Sequence, residues 1–124
     1  MMHMPAPYEK LRVWQLAHQL ALEIYRITAS FPATERYGLA SQMRRAATAI
    51  ATNIVEGNAR NHRGEYVQFC HIARSSAVEL KYLLQLSRDL RLLRSDEFTS
   101  PFNLANVVSA LLYTMVSRLA AKPN

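Results

Sequence analysis

The sequence predicts an all-α fold, an antiparallel up-down-up-down four-helix bundle assembled as a homo-oligomer. Three observations predict it. Apolar residues recur at alternating gaps of three and four along four long segments, the period of a helix with one buried face. The breaks between those segments are short, which favours antiparallel neighbours. The 124 residues include only 3 Gly and 5 Pro while 50% are hydrophobic, so long regular helices fit better than loops or disorder. One domain is expected over residues 8–121, with residues 1–7 a disordered N-terminal segment and 122–124 a C-terminal tail. Nothing reads as a strand.

The first helix carries Val13, Ala17, Leu20, Ile24, Ile27 and Phe31, and Phe31-Pro32 should end it, because proline disfavours helical geometry in the residue before it. Thr34 offers a hydroxyl cap for the second helix, with Glu35 in its first turn facing the helix dipole. The second stripe is Leu39, Met43, Ala46, Ile50 and Ile54. Alanines flank it, so a neighbour can approach closely. Gly57 is expected to close that helix in the left-handed conformation, with Asn53 and Glu56 fixing the turn and Glu56 pairing with an arginine.

The third helix is the longest and most regular, with Tyr66, Phe69, Ala73, Ser76, Leu80, Leu83, Ser87 and Leu90 in unbroken alternation. Ile72, Leu86 and Leu93 form a second apolar line that one core does not need, and they are the candidate subunit interface. Ser95 or Asp96 can cap the fourth helix, whose stripe is Leu104, Val108, Leu111, Met115 and Leu119, with Pro101 kinking or resetting its first turn. Residues 98–117 carry no formal charge over a length that nearly spans a bilayer. With Pro101, Asn103, Asn106 and several hydroxyls inside it, the segment reads as a helix buried on most of its circumference, with no membrane role.

A single cysteine, Cys70, and an N-terminus without an apolar leader point to the cytoplasm. Cys70 reads as a small buried hydrophobe. The formal charge is +6, and its distribution is uneven. From Arg36 to Arg94 there are ten basic and four acidic residues, a difference of +6, so the whole excess belongs to the middle of the chain. Arg74, Lys81 and Arg88 recur every seven residues and share one face over about 21 Å of helix. Phosphates could follow that row without reading base sequence, and carboxylates such as Glu79 and Asp89 could instead balance it as a solvated or inter-subunit face. Arg44, Arg45, Arg60 and Arg63 are the other nucleic-acid candidates. Trp14, Tyr8, Tyr25 and Tyr37 could stack on bases but more often fill packing positions.

No catalytic set emerges, because Asn53, Glu56 and Gly57 have no nucleophile or second carboxylate at helical spacing. No metal or other cofactor is expected. Where a di-iron bundle needs Glu-x-x-His, this chain has Gln15 to His18 and Gln68 to His71, which lack the carboxylate. His62 and His71 read as surface or capping residues.

Five segments in order, residues 8–14 (YEKLRVW), 31–39 (FPATERYGL), 42–46 (QMRRA), 53–57 (NIVEG) and 69–80 (FCHIARSSAVEL), resemble the four-helix bundle protein family, also called the 23S ribosomal RNA intervening-sequence protein family. The resemblance covers roughly residues 8–120. It implies an antiparallel four-helix bundle assembled as a homopentamer, encoded in some bacteria within insertions in the 23S rRNA gene and without established enzymatic activity. The chain is also similar to the accessory proteins of diversity-generating retroelements, basic pentamers that bind reverse transcriptase and nucleic acid. Ser75 departs from the glycine of many relatives.

Together these readings predict a non-enzymatic oligomeric scaffold that binds RNA or DNA through a basic surface. The alternative is an accessory module that contacts a polymerase-type protein and no nucleic acid.

Overall fold

The computed structural model describes residues 6–121. The N-terminal segment expected at residues 1–7 falls outside them except for its last two positions, and so does the tail expected at 122–124. Pro7 already opens a short 3-10 turn, Pro7–Lys10, closed by the Glu9 carboxylate accepting from the Ala6 N–H at 2.9 Å.

Four helices follow: α1 Arg12–Thr28, α2 Leu39–Asn58, α3 Arg63–Asp89 and α4 Ser95–Ala121. No strand occurs among the described residues. Each helix packs on its sequence neighbours, and α4 closes the ring against α1. All four contacts are antiparallel. Arg44 near the start of α2 reaches Thr28 at the end of α1, Met43 faces Ser87 at the far end of α3, Arg88 lies over Phe98 at the start of α4, and Ser100 donates to Glu23 of α1.

The α1 and α2 stripes are buried as their spacing predicts, apart from half-buried Phe31. Leu20, Ile24, Ile27, Met43, Ile50, Ile54, Leu80, Leu84, Val108 and Leu112 are the large side chains at the centre. Removing that much apolar surface from water is the main stabilising term.

The α3 and α4 stripes differ from expectation. On α3 the core line is Cys70, Ala73, Ala77, Leu80, Leu83, Leu84 and Ser87, so Ala73, Leu80, Leu83 and Ser87 are buried as expected, with Tyr66, Phe69 and Ser76 half-buried at its edge and Leu90 55% exposed. On α4 it is Pro101, Ala105, Val108, Ser109 and Leu112, with Leu104, Leu111, Met115 and Leu119 only partly covered. In both helices small residues let the partner backbone come close, so the side chains at the contact are smaller than those that mark the period. Leu93, expected on a free apolar line, is instead in the chain's own core. Nor is α4 buried on most of its circumference. It is long and apolar enough to cross a membrane by length and composition, and little of its most apolar stretch is enclosed within the chain.

Two expected caps are corrected. The turn Ala33–Glu35 intervenes, so α2 starts at Leu39, and the Glu35 carboxylate rather than the Thr34 hydroxyl accepts from the Leu39 N–H at 3.2 Å. Gly57 lies inside α2 with no positive φ, so it is no left-handed cap. A Cβ there would sit 2.8 Å from Phe69 Cβ and 3.0 Å from Tyr66 Cδ1, so the glycine is needed for close approach of α2 and α3. Helix α4 starts at Ser95, where the Glu97 carboxylate accepts from the Arg94 N–H at 2.9 Å, and the helix runs through Pro101.

The only positive φ outside glycine among the described residues is Arg91, at 62°. It ends α3: the Arg91 N–H donates to Arg88 O and the Leu92 N–H to Ser87 O, both at 2.9 Å. This is the Schellman arrangement, with arginine where glycine is favoured.

Candidate nucleic-acid interface

The seven-residue row on α3 is real, and it faces α4. Arg74 lies over the Tyr113 ring at 5.2 Å, Lys81 over Phe102 at 5.8 Å and Arg88 over Phe98 at 4.5 Å. Phe98 and Phe102 stack on each other at 4.8 Å, so Arg88 and Lys81 share one aromatic bed, while Tyr113 lies under Arg74 further along α4. Each such contact is worth about 0.5–1 kcal/mol at an exposed site. Arg74 Nε is enclosed without a hydrogen-bond acceptor among the described residues, and Arg88 Nε also donates to Asp89 at 3.0 Å. The row is therefore a seam between two helices, partly drawn out of solvent by the rings beneath it.

The remaining candidates divide further. Arg44 is a tie: its Nε donates to Thr28 Oγ1 at 2.9 Å and its guanidinium lies 4.7 Å from the Tyr25 ring centroid. Thr28 in turn donates to Ile24 O at 2.6 Å, so a cation closes the C-terminal end of α1, where the helix dipole favours it. Arg60 lies over Phe69 at 4.8 Å and pairs loosely with Glu65 at 3.9 Å. Arg63 is half-buried at the start of α3 and is engaged within the chain. Arg45 is exposed and makes no ion pair or side-chain hydrogen bond among the described residues.

Arg36 and Arg91 share that condition and were not singled out from the sequence. Arg36 could have been, since the punctuation Phe31-Pro32 to Gly38 places it on a connection. No sequence signal marks Arg91, because Leu90 keeps the period of the α3 stripe. Both belong to the end of the bundle that carries the α1–α2 and α3–α4 connections. Arg94, at the same end, is tied to Asp96 at 3.1 Å, and that hydrogen bond holds the Asp96 carboxyl below its ordinary range.

The aromatics sort the same way. Trp14 stacks on His18 at 5.0 Å with Tyr8 edge-on at 5.0 Å, and Tyr25 lies beneath Arg44. Tyr37 is 88% exposed.

The other singled-out residues are local structure. Asn53 Nδ2 donates to Ala49 O at 2.7 Å within its own helix. Glu56 is exposed and, contrary to expectation, forms no ion pair among the described residues. His62 precedes α3 without a side-chain cap, and His71 is exposed. Cys70 is fully buried, and burial pushes its thiol up to about 11, the opposite of an activated nucleophile. Burial likewise raises the Tyr66 hydroxyl, whose oxygen accepts from Asn58 at 3.4 Å. No group of three or more His, Cys, Asp or Glu side chains that could hold a metal occurs among the described residues. Of the proposed interface line, Ile72 is 43% exposed and Leu86 half-buried.

Comparison with known proteins adds two findings. The family model described as 23S rRNA-intervening sequence protein matches residues 9–114. Among solved structures, a protein of unknown function from the S23 ribosomal protein family of Bacteroides thetaiotaomicron superposes with a TM-score of 0.76 at 21% identity, covering 84% of this chain and 97% of that one. At that identity the likeness establishes the fold. A search of curated proteins found no match.

Proposed function

Because the chain belongs to the 23S rRNA-intervening sequence protein family, we propose that it is a non-catalytic cytoplasmic scaffold that assembles with copies of itself and binds RNA through its basic surface. The observation that carries this reading is the division of the central cations. Arg74, Lys81 and Arg88 are held on aromatic faces, whereas Arg36, Arg45 and Arg91 stand exposed without partners among the described residues. Unpaired arginines suit bidentate contact with phosphate, and such contacts do not depend on base sequence. The buried, raised Cys70 thiol argues against a cysteine nucleophile.

Assembly is supported by the apolar surface left outside the core: Ile72, Val78 and Tyr82 on α3, and Val107 and Tyr113 on α4 are all more than two-fifths exposed. A pentamer would scatter light as a particle about five times the 14.1 kDa chain.

Filter binding of RNA across a salt series tests the RNA-binding reading. Affinity should fall linearly with salt on a log–log plot as counterions are released. Affinity that ignores salt, or no binding at low salt, would refute it. The exposed apolar face of α4 favours a second reading, an accessory subunit docked on a polymerase-type protein. Under that reading RNA is not bound at low salt, and Val107→Glu abolishes capture of the polymerase-type partner.

A further inference from the structure

Tyr37 stands on a connection that is itself well fixed. The Arg36 N–H donates to Ala33 O at 3.2 Å, the Gly38 N–H to Glu35 O at 3.2 Å, and the Leu39 N–H to the Glu35 carboxylate. The turn is thus tied before and after the ring, while the ring itself is 88% exposed. Of the four stacking candidates Tyr8, Trp14, Tyr25 and Tyr37, it is the one with no cation or second ring on its faces among the described residues.

Charge gathers around it. Tyr37, Gln42, Arg45, Leu86 and Leu90 line one surface groove between the start of α2 and the end of α3, and the groove continues past Gln42 and Arg45 to Ala49 and Ser76. Arg91 follows Leu90 directly. Arg36, adjacent to Tyr37, lines a second depression with Arg44 and Phe31. The carboxylates nearby are Glu35, already accepting from the Leu39 N–H, Asp89, paired with Arg88 at 3.0 Å, and Glu79 at the far end of the groove.

We propose that this end of the bundle binds single-stranded RNA, one unpaired base stacking on Tyr37 while the flanking phosphates meet Arg36, Arg45 and Arg91. The inference rests on the RNA-binding reading above and adds the place and the strand state. Base faces inside a duplex are already stacked on one another, so an exposed ring at a bundle end finds free faces along the strand only where bases are unpaired. The groove from Leu39 to Ala49 runs about 15 Å along α2, which suits a few nucleotides of one strand. Arg91 supports the assignment independently: a non-glycine residue is held in the left-handed region where glycine would cost less, and such outliers gather at functional positions.

Fluorescence anisotropy with a short unstructured RNA and with a duplex of the same length tests this on the full chain. Tyr37→Ala should weaken single-strand binding about tenfold, the size of one lost stacking contact. Duplex binding should change less than about twofold, because the ring does not reach a paired base. Tyr37→Phe should restore the single-strand affinity. Arg36→Ala combined with Arg45→Ala should weaken single-strand binding and reduce its salt slope by about 1.4, two phosphate contacts' worth. Full single-strand affinity in Tyr37→Ala, or a Tyr37→Phe variant as weak as the alanine, overturns the proposal. If the wild type binds RNA and all these variants match it, only this inference falls. If the wild type binds neither RNA at low salt, the broader reading falls with it. A change of particle mass in Tyr37→Ala would make the groove a contact between copies and would also overturn it.

Discussion

The α3–α4 seam and the connection end of the same bundle both carry basic residues, three apiece in the sets that matter, and they use them oppositely. Along the seam Arg74, Lys81 and Arg88 lie on Tyr113, Phe102 and Phe98, so their charge helps hold two helices together. At the connection end Arg36, Arg45 and Arg91 form no ion pair and lie over no aromatic ring among the described residues. Charge counted along a sequence is the same in both places. What differs is the face opposite, and that decides whether a cation contributes to stability or remains available to a ligand.

The sharpest way to break this comparison is to reverse both sets. Changing Arg74, Lys81 and Arg88 together to Glu removes three cation–aromatic contacts and sets carboxylates against the negative ring faces. It should lower unfolding stability by about 3 kcal/mol in urea melts, each contact counting for about 1. The same reversal at Arg36 and Arg45 should change stability by no more than about 0.5 kcal/mol, as for other exposed positions. Equal losses from the two sets would erase the distinction.

The other side of α3 offers a second contrast. Against α2 the helices meet through small residues, with Gly57 beneath Tyr66 and Phe69. Gly57→Ala gains about 1 kcal/mol of helix propensity and would be mildly stabilising if Gly57 merely ended the helix. With a Cβ 2.8 Å from Phe69 Cβ, overpacking should win and stability should fall by about 2 kcal/mol. A raised melting temperature for Gly57→Ala would return Gly57 to the capping role its sequence position suggested.

These cases show which parts of the molecule were legible in the sequence. The α1 and α2 lines were, because Leu20, Ile24, Ile27, Met43, Ile50 and Ile54 are both the periodic residues and the buried ones. On α3 and α4 the period was right and the centre displaced, because Cys70, Ala77, Ala105 and Ser109 mark the contact by being small, a weak signal beside the larger Phe69, Leu104 or Leu111. The seven-residue spacing of Arg74, Lys81 and Arg88 put them on one face and could not say what lies opposite, since Phe98, Phe102 and Tyr113 belong to another helix. The connection end was legible only in pieces. Arg45 and Tyr37 were noticed separately, and only the end of α3 folding back beside the start of α2 gives them a common groove.

Arg91 sharpens the comparison most finely, because at this residue stability and binding are expected to move in opposite directions. Its φ of 62° is the conformation a helix-ending glycine adopts without strain, while a Cβ there costs on the order of 1 kcal/mol. Both backbone hydrogen bonds of the motif are donated by main-chain N–H groups, from Arg91 and Leu92, so Arg91→Gly keeps them. Glycine also loosens the unfolded chain, which offsets part of the gain. Thermal or urea unfolding should therefore show Arg91→Gly more stable by about 0.5–1 kcal/mol. The same variant removes one phosphate contact, so its RNA affinity should fall and its salt slope for single strands should drop by about 0.7. A variant that gained stability and kept full affinity would leave the arginine with no use for its strained position, and would remove Arg91 from the connection-end set.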